Sequence, residues 1–561
     1  MRKVFNYMGS GLLALSFLGL IACNNLTNNT SASNSSKEEK SNVDSTMFST
    51  GDTKEISESD YDEVIDLSTL SSDYTINTNG VYHIKGEAND YQLIVSDNTN
   101  NDKNIHLVLD NVSMTNSKNA CLYIKSASKV VMHLIGDNSL TSTYTSKVND
   151  GTTKIDGAIY SKDDLTITGS GSLNVNSKLH GIVCKDDLKF TGGTVNVNSL
   201  NKSLDVNDSV RIKDSTINLE AISGDGIHLE NDENSSFFYM ESGELNIESA
   251  LDGIDLSTSN KDFSGYFSFV GGNLNIISGG GSDSKTTSSQ DSKKGVKSDN
   301  TITFSGGVIN IDSKDDSIHS ASTAYVTGGK LTLKTSDDGI HSDTKTIIKD
   351  GTLDISGHEG IEGKQVEISG GKITIVASDD GVNASNSITV SGGYIDITMG
   401  SGDVDGVDSN GTYTQTGGIV VARVSSVNEM AAPLDTDSTV NITGGTFIAL
   451  GSFSNVKSKT TLNAICFGTS SSFGMGPGGF MGGGGRPSNN SSSSDTVSFS
   501  SGKYTLTNSN NEELLSFELM TKYTNLTIVS DKLVLNENYT INLNGSQLKT
   551  WLQSDSIITS K

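Results

Sequence analysis

Along most of this chain apolar and polar residues alternate in short runs, as in Leu353-Asp354-Ile355-Ser356 and Ile373-Thr374-Ile375. A period of two puts the apolar positions on one face of a strand. No stretch sustains a 3.6-residue period, and β-branched residues and Asn fill the runs. Many runs follow a Gly turn: Gly306-Gly307, Gly328-Gly329, Asp350-Gly351, Gly370-Gly371 or Gly392-Gly393. Each set of strands opens at an acidic corner. The corners read Asp315-Asp316-Ser317-Ile318, Asp337-Asp338-Gly339-Ile340, Glu359-Gly360-Ile361, Asp379-Asp380-Gly381-Val382 and Asp405-Gly406-Val407. Their acidic residues are spaced 22, 21, 21 and 25 apart. A self-similar period of this size signals a solenoid. Two or three strands per turn of about 20–25 residues predict an all-β fold, a right-handed parallel β-helix.

The corners also set the domain plan. Weaker copies stand upstream at Asp156-Gly157, His180-Gly181, Asp225-Gly226 and Asp252-Gly253. Residues 156–466 are therefore read as the regular coils, and 60–155 as an N-terminal β cap with the first coils. Between Asp252 and Gly295 the spacing roughly doubles, through insertions at 257–265 and 279–294. Insertions in solenoids map to loops on one face, often the binding face. Residues 467–495 are Gly/Ser-rich and read as a flexible loop. Residues 496–561 return to strand patterns and read as a C-terminal β cap that shields the edge of the last coil.

Charge narrows the partners. The formal net charge over 561 residues is −27. That argues against nucleic acid, whose phosphates need a basic surface, and suits a cation. At the N-terminus Arg2 and Lys3 precede an apolar run that ends in Leu20-Ile21-Ala22-Cys23. The run is too short to span a membrane and has signal-peptide form. Its end resembles a bacterial lipobox, so residues 1–22 are expected to be removed and Cys23 lipidated. Residues 23–59, rich in Asn, Ser, Thr, Glu and Lys, are expected to be a disordered tether. The expected location is the bacterial cell surface, held to the membrane by lipid alone, and the expected state is a monomer. Cys121, Cys184 and Cys466 are too widely spaced for a disulfide framework, and Cys184 sits in a strand as a buried apolar residue.

If coils stack at the spacing of paired strands, equivalent side chains lie about 4.8 Å apart. One acidic column then holds Asp225, Asp252, Asp316, Asp338, Glu359, Asp380 and Asp405. Three residues on, a second holds His228, Asp255, Lys297, His319, His341, Glu362, Asn383 and Asp408. Two like charges at that separation repel by roughly 3 kcal/mol at an effective dielectric of about 20. Ca²⁺ answers this, because it takes oxygen ligands at about 2.3–2.6 Å and so spans two carboxylates. The best coils carry carboxylates in both columns: Asp252 with Asp255, Glu359 with Glu362, and Asp405 with Asp408. Against this stands ordinary turn chemistry, in which Asp bonds local N–H groups and Gly supplies a positive φ. His319 and His341 lack a close Cys/His set, so no zinc site is expected.

Two segments, Asp156-Gly157-Ala158-Ile159-Tyr160-Ser161-Lys162-Asp163-Asp164-Leu165 and His180-Gly181-Ile182-Val183-Cys184-Lys185-Asp186-Asp187-Leu188, carry a resemblance to a known family. Together with the Asp-Asp-Gly-Ile coils and the Gly-Met-Pro-rich loop, they resemble the bacterial carbohydrate-binding domain-containing group. Its members are similar in fold to Ca²⁺-dependent pectate lyases. The resemblance implies a right-handed parallel β-helix, bound calcium, and binding of plant-type polysaccharides such as cellulose and polygalacturonate at the cell surface; it does not imply cleavage. The chain departs from the family at Lys202-Ser203-Leu204-Asp205-Val206, which puts a metal on that coil in doubt.

Three functions follow as expectations. The first is a lipid-anchored, non-catalytic binder of acidic or plant-type glycans. Trp551 is the only Trp, so stacking platforms for neutral sugars are scarce, and an acidic protein meets an acidic glycan through bridging Ca²⁺. The second is a Ca²⁺-dependent polysaccharide lyase acting by β-elimination. It needs a base beside the metal, for which Lys297 and Lys364 are the candidates. The third is a surface adhesin for a host protein, with the solenoid as a spacer.

Overall fold

The computed structural model describes residues 47–97, 103–231, 234–260, 265–285, 291–402, 404–424, 431–451, 460–468 and 498–560. The expected leader, Cys23, residues 24–46 of the tether, and nearly all of the Gly/Ser-rich loop lie outside these. Regular structure among the described residues is almost entirely strand, and the fold is a parallel β-solenoid. Two compact units are distinguished, one up to Val308 and one from Ile309.

In the first unit each coil contributes three strands, and each strand pairs in parallel with its equivalent one coil on. One column runs through Gly157–Ser161, His180–Cys184, Leu204–Val206, Ile227–Leu229, Ile254–Leu256 and Val296–Ser298. A second runs through Leu165–Gly169, Asp187–Phe190, Ser209–Ile212, Phe237–Met240, Tyr266–Phe269 and Ile302–Phe304. A third runs through Ser172–Ser177, Thr194–Ser199, Thr216–Ala221, Glu244–Ser249 and Asn273–Ser278. Alternation decides which side chains point in. In the third column Leu173, Val195, Ile217, Leu245 and Leu274 are buried, and the Asn residue after each faces outward. Like residues stack on like: Phe238 lies parallel over Phe267 with ring centroids 4.8 Å apart.

Part of the expected tether is folded. Phe48 and Asp52 are buried, and residues 47–52 lie against the second strand column. Asp52 forms an ion pair with Lys129, and Thr166 Oγ1 donates to its carboxylate at 2.8 Å. Arg211 donates to the Met47 carbonyl at 3.1 Å. Low overall hydrophobicity hid this segment, because it is held by one aromatic residue and one buried carboxylate.

The second unit repeats the coil through Ile318–Ser320, Asp338–Ser342, Glu359–Ile368, Val382–Val390 and Val407–Ser409. Its C-terminal part departs from parallel pairing. Leu526–Ser530 runs antiparallel to both Val440–Leu450 and Asn463–Phe467. A separate four-stranded antiparallel sheet is made by Gly502–Asn508, Glu513–Leu519, Asn538–Leu543 and Ser546–Leu552. Its inner face shares a core with the coil through Ile448, Phe467, Phe499, Tyr504 and Trp551. Trp551 is 8% exposed, so it is a core residue and no platform for sugars.

Candidate functional site

The acidic corners are built by backbone crowding. A Cβ placed on Gly339 would sit 2.3 Å from Ile355 Cγ2 and 2.6 Å from the Gly360 carbonyl oxygen. Gly226 is hemmed in the same way by Ile247 and Gly253. Neither has a positive φ; that conformation belongs to the Gly turns, such as Gly307 and Gly329. The corner glycine therefore lets an inward aliphatic side chain and the next coil's carbonyl approach closely, and the positive-φ role expected of it is incorrect.

The corner aspartates are also less local than turn chemistry predicts. In the first unit the N–H of Asp252 donates to Asp225 Oδ1 at 3.2 Å, and the N–H of Lys294 to Asp252 Oδ1 at 2.7 Å. In the second unit the N–H groups of Asp338, Asp405 and Ala432 donate to Asp316, Asp380 and Asp405 at 3.3, 2.9 and 2.6 Å. One oxygen of each carboxylate thus ties its coil to the next.

The first unit sets cations against several of its corners, although burial and then Asp255 still raise Asp225 and push Asp252 up to about 7. Lys147 Nζ lies 2.6 Å from Asp156. Asp205 is ringed by Lys185, Lys202 and His228 at 3.1, 3.2 and 3.1 Å. Burial opposes its ionisation, yet the hydrogen bond from His228 and the charges of Lys185 and Lys202 hold it well below the usual carboxylate range. Asp252 and Asp255 lie 3.6 and 3.5 Å from Lys297 Nζ. Sequence spacing placed Lys297 in the column but did not reveal that it closes on both carboxylates from the next coil.

The second unit does so only in part. His319 and His341 stack with ring centroids 4.8 Å apart, so the structure does bring these two together. His319 Nδ1 meets Asp316 at 2.8 Å; His341 Nδ1 meets Asp338 at 3.0 Å and Glu362 at 2.5 Å. Burial disfavours charge on His341, but the two carboxylates outweigh it and push its pKa up to about 11. His341 is thus an imidazolium balanced by Asp338 and Glu362.

Beyond it the compensation stops. Among the described residues, no Lys or Arg pairs with Glu359, Asp405 or Asp408. Burial first, then Asp338, Glu362 and Asp380, push Glu359 up to about 8, although Asn383 donates to it at 3.1 Å. Asp405 is pushed up to about 7, by burial and by Asp380, Asp435 and Asp408. Asp408 rises to about 6, by burial and by Asp380, Asp435 and Asp437. All are half-buried oxygen donors, the hard ligands that Ca²⁺ takes.

The family model for the carbohydrate-binding domain-containing protein matches residues 71–339 and 337–511. The chain belongs to this family. A family relative from Acetivibrio thermocellus is 40% identical over 138 residues, which is 24% of this chain and 48% of the relative. The chain thus spans about half the length of that relative. A solved structure, a gadolinium derivative of the polysaccharide lyase-like protein from C. thermocellum, is 26% identical. It covers 52% of this chain and 96% of that one, with a TM-score of 0.30. Family membership supports a polysaccharide as the partner in general terms.

Within the family frame, the two lysines considered for proton abstraction differ. Lys297 is raised above the ordinary lysine range: burial opposes this, but Asp255 and Asp252 prevail. An ammonium held in that state is a counter-ion, and a base must be unprotonated to act. Lys364 is exposed, one position past Gly363.

Proposed function

We propose that this protein is a non-catalytic, calcium-dependent polysaccharide-binding protein, held to the bacterial cell surface through lipidated Cys23 and acting as a monomer. Family membership supports the polysaccharide. The observation that carries the calcium is the run of Glu359, Asp380, Asp405 and Asp408 over three successive coils of the second unit, with Glu359, Asp405 and Asp408 pushed up by burial first and then by repulsion from neighbouring carboxylates. Repulsion of this kind is relieved by a shared cation. These four residues would hold Ca²⁺; Asp252, Asp255, Asp338 and Glu362 contribute less, because each already faces Lys297 or His341, and Asp225, raised by burial and by Asp255, is a further candidate in the first unit. When bound, the ion supplies positive charge to a protein of net charge −27, and so lets it hold the carboxylates of an acidic glycan.

The test is isothermal titration of the chelator-treated protein with Ca²⁺, then with polygalacturonate, while ultraviolet absorbance follows unsaturated uronate. Calcium uptake, then glycan binding at constant absorbance, is the expected result. Binding that survives chelator would remove the calcium bridge. Rising absorbance would replace the binder with a lyase.

A further inference from the structure

The outward face of the third strand column in the first unit carries an unbroken chain of amides. Asn196 Nδ2 donates to Asn174 Oδ1 at 2.9 Å, and Asn218 Nδ2 to Asn196 Oδ1 at 2.7 Å. Asn246 and Asn275 continue it at 2.8 and 2.7 Å. The chain forms the floor of a trough of about 660 Å³. A structural ladder alone would explain the hydrogen bonds, but it does not require an open groove above them.

We infer that this asparagine trough is a glycan-binding site that takes a neutral, extended polysaccharide without a cation. The inference rests on the reading that the partner is a polysaccharide. Three features carry it. First, an amide has two N–H donors and two acceptor lone pairs. The ladder uses one donor and one acceptor of Asn196 and of Asn218, leaving one of each unused by the ladder. A surface that both donates and accepts complements sugar hydroxyls, which do the same. Second, the amides repeat at the coil rise of about 4.8 Å, close to the length of one sugar unit in an extended polymer. A chain laid along the column meets an equivalent amide at each unit. Third, the rim holds Glu220 and Glu248, and no basic side chain lines the trough. Uronate carboxylates would be repelled there, whereas a neutral polymer is not. Ile277, 45% exposed at one end, offers apolar contact to a ring's C–H face.

The aligned amides polarise one another along the chain, so the trough has a direction. A polymer bound in it would be read in one polarity. The experiment titrates the full chain, in excess EDTA, with cellohexaose, xylohexaose and mannohexaose in turn. At least one is expected to bind, with affinity unchanged when Ca²⁺ replaces EDTA. Asn218→Ala removes a rung and should weaken that binding more than tenfold. Should it fail to fold, Asn176→Leu is the second variant: Asn176 is exposed, lines the trough and lies outside the ladder, and leucine keeps its size while removing the amide's donors and acceptors. It should weaken binding to the same degree with an unchanged Tm. The inference is overturned if no neutral hexaose binds in EDTA, or if binding persists unchanged in Asn176→Leu. Polygalacturonate with Ca²⁺ is titrated in parallel, and its outcome reports on the second unit's acidic column alone.

Discussion

Lys297 reaches back one coil to Asp255, its Nζ 3.5 Å from Oδ1. That pair, shared with Asp252, decides what the lysine does. Replacing it with Met leaves two buried carboxylates without a counter-charge. Removing one partner of a charged hydrogen bond costs about 2 kcal/mol. Lys297→Met should therefore lower the Tm measurably, and polygalacturonate should show no unsaturated product with either protein. An absorbance rise in the parent that disappears in Lys297→Met would restore the catalytic role.

The acidic column of the second unit gives a pH signature. Glu359, Asp405 and Asp408 have folded pKa values raised to about 8, 7 and 6. A raised folded value means that the folded state binds protons more tightly than the unfolded chain. The associated stability is full near pH 4 and is lost as pH climbs through 6 to 8. Thermal unfolding in EDTA should therefore show Tm falling over that window. Ca²⁺ should flatten the fall, adding about 2.7 kcal/mol at a hundredfold excess over Kd. A Tm independent of both pH and Ca²⁺ would count against the shared-cation site.

Neutralising the same residues should have opposite effects on stability and on binding. Asp405→Asn with Asp408→Asn keeps an oxygen for the Ala432 N–H while removing two repelling charges. At pH 8 in EDTA the variant should gain about 1 kcal/mol per site, after allowance for solvent screening. Its Ca²⁺ uptake by titration should fall at least tenfold. Equal uptake by both proteins would move the ion elsewhere.

Asp52 is expected to pin the N-terminal segment. Burial opposes its charge, but Lys189 and Lys129 win and lower its pKa to about 2. A lowered carboxylate stabilises the fold above about pH 4, and that contribution is lost as pH falls toward 2. Asp52→Asn should release residues 47–52, read as faster amide hydrogen exchange at Ser49 and Asp52. The acid limb of the stability curve should become shallower. Unchanged exchange would mean that Phe48 alone holds the segment.

Much of the fold was legible because the solenoid writes its geometry into the sequence. Alternation in runs such as Leu353 to Ser356 marks strands, and the spacing from Asp316 to Asp338 sets the coil. The site was only partly legible. Columns can be listed from spacing, but whether Asp252 is compensated depends on Lys297, 45 residues later across an insertion of unguessable path. The stacking of His319 on His341 is legible once their shared register position is combined with the coil rise, whereas neither histidine taken alone reveals it. The fold of residues 47–52 was hidden because a short polar segment gains its order from a distant surface. Asn174, Asn196 and Asn218 recur at intervals of 22, but alternation marks them only as polar strand positions, and the ladder they form needs the stacked coils.

The corner geometry has a last consequence, for how such a chain changes length. Gly339 leaves room for the carbonyl of Gly360, and Asp380 binds the N–H of Asp405. A glycine corner of this kind is thus both socket and plug, cut to the same pattern. A few residues added within a strand would break the match on both sides, but a complete coil cut from corner to corner brings its own socket and plug. Lengthening and shortening by whole coils is the path of least disruption, and in this architecture the unit of heredity is the turn.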